Sequence, residues 1–107
     1  MKTIMNILLV PGLYLAAGSV CAGEFEVGQM NKAFTVEELK IKVGDSVNFK
    51  NEDPFFHNVF SLAPQKTFDL GSYPKGEGRA VVFDQAGTID VECAIHPNMH
   101  LKIVVEE

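Results

Sequence analysis

Cysteine and positive charge are both scarce in this chain. Its 107 residues hold two cysteines, Cys21 and Cys93. That rules out a small scaffold stapled by many disulfides. Nine Lys and Arg stand against 14 Asp and Glu, a net charge of −5 at pH 7. Such a balance argues against nucleic acid and anionic membrane as partners. No apolar run is long and clean enough to span a bilayer: the one from Ile4 to Ala17 is short, and Pro11-Gly12 interrupts it. There is no internal repeat and no convincing long helical period. The length leaves room for one ordinary domain.

What the chain does have begins at its N-terminus. Met1-Lys2 precedes the apolar run, and Gly18-Ser19-Val20-Cys21-Ala22-Gly23 supplies small residues where a signal peptidase cuts. This has the form of a secretory signal. The expected cut follows Ala22, so residues 1–22 form the leader and 23–107 one domain exported to the periplasm. An uncleaved anchor is the rival reading, and a lipid on Cys21 another. Val20 is bulkier than lipoprotein signals usually allow. Cleavage removes Cys21 and Lys2, leaving eight basic and 14 acidic residues, a net charge of −6. Cys93 is then a lone thiol in a disulfide-permissive compartment, which calls for an explanation. Metal ligation supplies one. The acidic pairs Glu37-Glu38, Glu52-Asp53 and Glu106-Glu107 are dispersed, so they define no single patch. Scattered charge most often serves solubility.

The exported part reads as all β. Leu39, Ile41 and Val43 alternate with Lys40 and Lys42, and Val47 and Phe49 with Asn48 and Lys50. That is the period of a half-buried strand. Phe25 and Val27 start a first strand. Val81 and Phe83, then Ile89 and Val91, then Leu101, Ile103 and Val105 mark later ones. Gly44-Asp45 and Asn51-Glu52-Asp53-Pro54 read as breaks. Ala63 to Gly78 is polar and glycine-bearing, and is expected to be mostly loop. Short strands at this spacing predict a sandwich or a Greek-key barrel.

The chemistry is concentrated near the C-terminus. Cys93-Ala94-Ile95-His96-Pro97-Asn98-Met99 places a thiolate, an imidazole and a thioether on one tight loop, and His57 lies upstream. Two His, one Cys and a weak Met form the ligand set of a blue-copper electron-transfer site. Taken singly, each residue has a blander explanation as packing. Together they point to copper. Zinc is the inorganic rival, but it has little use for a thioether. Strand parity supports the set: Cys93 shares parity with Ile89 and Val91, His57 with Val59, and Met99 with Leu101 and Ile103. His100 competes with Met99 for the fourth position, but parity turns it outward. Pro97 and Ile95, with Phe55 and Phe56, are candidates for an apolar electron-entry rim around His96; the two Phe are equally candidates for core.

Three segments carry a resemblance to a known family: Leu39 to Asp53, His57-Asn58-Val59, and Cys93 to Met99. They resemble the cupredoxins, especially the plastocyanin and amicyanin group. The two-residue gap from His96 to Met99 is similar to the short amicyanin loop. The resemblance implies an all-β, cupredoxin-like Greek-key β-sandwich of about seven or eight strands, with His57, Cys93 and His96 as equatorial ligands and Met99 as the long axial one. It also implies that Asn58 ties the two ligand loops together. Relatives often carry Ser or Thr after the Cys, where this chain has Ala94, so Asn58 is expected to bond backbone instead. Glu92 stands where plastocyanins carry Tyr, which leaves no aromatic route there. The expected function is a monomeric, non-enzymatic electron shuttle. Its partners would be redox proteins such as a c-type cytochrome, dehydrogenase, oxidase or reductase, with no small-molecule substrate. Copper storage or delivery is the alternative, and catalysis at an open red-copper site a weaker third.

Overall fold

The computed structural model describes residues 22–107 and contains nine strands and no helix among them. The expected leader, apart from Ala22, lies outside the described residues, and so does Cys21. The strands are β1 (Glu24–Met30), β2 (Ala33–Phe34), β3 (Glu38–Lys42), β4 (Ser46–Asn51), β5 (His57–Ser61), β6 (Phe68–Tyr73), β7 (Gly78–Val82), β8 (Gly87–Glu92) and β9 (His100–Glu106). They form two sheets, ordered β2-β1-β4-β7 and β3-β9-β8-β5-β6. The β1/β4 and β3/β9 pairs are parallel and the others antiparallel. Because consecutive strands so often change sheet, most connections run across the ends of the sandwich. Functional side chains can then gather there from distant parts of the sequence.

The expected alternation is what builds the core. In β4, Val47, Phe49 and Asn51 are buried while Ser46, Asn48 and Lys50 are half-buried. Ile89 and Val91 in β8, and Leu101, Ile103 and Val105 in β9, fill the space from the other sheet. Phe34, Phe49, Phe68 and Phe83 form a chain of tilted and edge-on aromatic pairs through the interior. Such pairs add to the stabilisation from burial alone.

One strand departs from expectation. Residues 68–73, expected as loop, form β6 at the edge of the larger sheet. Its signal is broken by a bulge: Asn58 faces Ser72 but Phe60 faces Asp69, so β6 carries one residue more than β5 between those pairs. Gly71 sits there at φ 74°, a conformation that glycine adopts without strain. The bulge shifts parity between Leu70 and Tyr73, so no single alternation spans the strand. With β6 and the two-residue β2 included, the strand count rises to nine, above the seven or eight expected.

The end of the sandwich that matters is built from four connections: the β1–β2 turn, residues 52–56, residues 74–77 and residues 93–99. Asn51, fully buried at the end of β4, organises the second and third of these. Its amide donates to the carbonyls of Phe55 and Tyr73, at 2.8 and 2.9 Å, and its oxygen accepts from the Asp53 N–H at 2.8 Å. Its own N–H and C=O bond Glu77 and Gly76. A buried amide so fully satisfied fixes the loop entering β5, and hence where His57 starts.

Candidate metal centre

His57 opens β5, and Cys93 and His96 lie in the loop between β8 and β9. Cys93 continues the inward face of Ile89 and Val91, and is 1% exposed. His57 is fully buried and His96 partly so. Their donor atoms converge. Cys93 Sγ lies 3.7 Å from His57 Nδ1 and 3.9 Å from His96 Nδ1, and the two Nδ1 atoms are 3.2 Å apart. The point in their plane equidistant from all three lies about 2.1 Å from each, within the range of imidazole and thiolate bonds to a first-row metal.

Electrostatics point the same way. His57 Nε2 lies 2.7 Å from Asp53 Oδ2. That contact puts the hydrogen on Nε2 and leaves the Nδ1 lone pair facing His96. Two bare imidazole nitrogens at 3.2 Å repel, so either a proton or a metal ion belongs between them. Burial, then the neighbouring His57 and Lys32, hold the His96 imidazole below the usual histidine range, with Asp53 opposing. A ring kept neutral in this way is ready to ligate.

Met99 is 1% exposed, and its N–H donates to the His96 carbonyl at 2.9 Å, closing the loop. His100, the competitor, is exposed. Asn58 Oδ1 accepts the Ala94 N–H at 2.8 Å, so with no hydroxyl at position 94 the bond goes to backbone as expected. Phe55 is half-buried and packs against both imidazoles at 5.3 Å between centroids. Phe56 and Ile95 are 55% and 47% exposed, and Pro97 is exposed too.

Asp53 does not stand out in the sequence, where it reads as one half of an acidic pair in a break. In the fold it is 4% exposed and accepts from His57 and from the N–H groups of Asn31 and Lys32, at 2.7 and 3.0 Å. Burial pushes its carboxyl up, but the bonds from His57, Lys32 and Asn31 outweigh that and hold it below the usual carboxylate range. The one signal in the sequence is a carboxylate four residues before a histidine.

Comparison with known proteins agrees with this geometry. Residues 20–106 match the copper-binding proteins of the plastocyanin/azurin family. Amicyanin from Paracoccus denitrificans is 33% identical over 94 residues, spanning 85% of this chain and 72% of that protein. The methylamine utilization protein MauL of Methylorubrum extorquens is 29% identical over 109 residues, spanning 98% and 96%. A Cu(I) structure of an amicyanin variant matches with a TM-score of 0.73 at 31% identity, covering 81% of this chain and 86% of that one. A copper-containing nitrite reductase from Thermus scotoductus matches at 0.74 and 28% identity, covering 86% of this chain but 25% of that one. The donor set suits copper, and its arrangement here does too. The chain belongs to the plastocyanin/azurin family of copper-binding proteins.

Proposed function

We propose that this protein is a periplasmic blue-copper carrier that passes single electrons between redox proteins. The observation that carries the reading is the triangle of Cys93 Sγ, His57 Nδ1 and His96 Nδ1, sized for one ion. In this reading those three are the strong ligands and Met99 the weak axial one. Bound copper supplies a one-electron couple between Cu(I) and Cu(II). The protein's own part is to change little as that couple turns over. Asp53 holds the His57 ring, Asn58 clamps the ligand loop to β5, and Phe55 covers both imidazoles against water. His96 reaches toward the surface among Ile95, Pro97 and Phe56, the proposed rim for electron entry and exit. Burial of His57 and Cys93 favours retention of the ion, which suits a carrier better than a delivery protein.

Export is part of the proposal, with cleavage after Ala22. The nitrogen of Gly23 already lies 2.7 Å from Asp45 Oδ1, where a new terminal ammonium would be received as readily as an amide. Native mass spectrometry of the exported protein tests both parts. The expected mass begins at Gly23 and includes one copper, and the loaded protein shows an intense thiolate-to-copper visible band. Cys93→Ser should abolish that band; a variant that kept it would sink the ligand assignment.

A further inference from the structure

Lys32 occupies an improbable position. The β1–β2 turn puts Asn31 at φ 57° and Lys32 at φ 60°. Hairpins of this kind strongly prefer glycine at the second place, because a Cβ is disfavoured there. Here lysine sits in the turn, held by the bonds from both backbone N–H groups to Asp53. Its ammonium lies 5.8 Å from the centroid of the Phe55 ring. That ring in turn packs against His57 and His96. The positive charge is therefore fixed beside the metal-facing end of the molecule.

Its surroundings make this charge distinctive. The loop from Cys93 to Met99 carries no charged side chain other than the ligands themselves. The nearby Asp53 carboxylate is turned inward and engaged by His57. Among the described residues, no carboxylate lies within ion-pairing distance of Lys32. Glu52 extends toward Gly28 and Thr35 on the flank of the smaller sheet. An acidic protein thus presents, next to an apolar rim, a cation that none of its own carboxylates neutralises.

We propose that Lys32 is a recognition charge, and that the redox partner docks with a carboxylate set beside an apolar patch. This rests on the electron-carrier reading. The net negative charge of the whole would otherwise repel such a partner, so a fixed local cation sets orientation more than affinity.

The test uses copper-loaded protein with three inorganic probes. Paramagnetic hexacyanochromate(III), an inert anion, should broaden the amide resonances of residues 31–33 and 55 in the Cu(I) protein, and Lys32→Gln should remove that broadening. Oxidation of the Cu(I) protein by ferricyanide transfers one electron to iron and makes no bond. Lys32→Gln should slow it by about two- to fivefold at low salt while leaving or raising the rate with the cationic tris(phenanthroline)cobalt(III). Lys32→Arg should retain wild-type behaviour. Equal slowing with both oxidants, or broadening centred elsewhere, would overturn the proposal. A wild-type protein that binds hexacyanochromate at Lys32 but exchanges electrons with neither oxidant would overturn the carrier reading, while upholding Lys32 as an anion contact.

Discussion

At the scale of single residues, neighbouring side chains in this chain do opposite jobs. Met99 and His100 are adjacent, yet one is buried and the other exposed. The strand period decides which can serve the metal. An axial ligand tunes potential through a long, weak bond. Met99→Gln is therefore expected to keep one bound copper and to lower the reduction potential, since an oxygen donor favours Cu(II). His100→Ala should leave spectrum and potential nearly unchanged. Voltammetry with electron paramagnetic resonance on both variants checks this; the reverse pattern would make histidine the fourth ligand. Parity also makes His57, Cys93 and Met99 legible in the sequence itself, because each sits on or beside a strongly alternating strand. Asp53 is not legible there. Its partners at Asn31, Lys32 and His57 come from one distant turn and a strand end, and no local pattern records that meeting.

At the scale of elements, the loops depend on two asparagines with unequal roles. Asn58 makes one bond to an exposed stretch of the ligand loop. Asn51 is buried, and its side chain serves three backbone groups, two in the 52–56 connection and one at the end of β6. Removing a partner from a buried polar group costs more than removing a solvated bond. Asn51→Ala is expected to destabilise the metal-free protein by about 2–3 kcal/mol, and Asn58→Ala by about 1 kcal/mol. Urea denaturation of both copper-free variants measures the difference; equal losses would deny Asn51 its organising role. The strands at 38–42, 46–51, 87–92 and 100–106 are readable because each keeps one face in the core. β6 is not, because an edge strand with a bulge and a glycine lacks both a constant face and a constant period.

At the scale of the whole molecule, the far end of the sandwich has its own anchor. Asp45 accepts the N–H of Lys42 and of Gly23, at 2.8 and 2.7 Å, and these bonds hold its carboxyl below the usual range, against a smaller opposing effect of burial. The unfolded chain binds the proton more tightly, so the contribution is present above the unfolded pKa and lost as pH falls through the folded one. Asp45→Asn should therefore lower the urea midpoint most above about pH 4, and the gap from wild type should close in stronger acid. A gap that widened in acid would reverse the sign of this linkage.

The donor triangle has a less welcome side. Its radius of about 2.1 Å suits zinc, which bonds imidazole and thiolate over nearly the same lengths, as well as it suits copper. Shape alone does not tell the two ions apart. Copper wins on intrinsic affinity, but a copy loaded where zinc is plentiful would be colourless, folded and redox-silent. With its surface unchanged, it would still occupy the partner's docking site and give nothing in return. Such a counterfeit acts as an inhibitor of the pathway the true carrier serves, which makes the order in which metals reach the folded chain a matter of function.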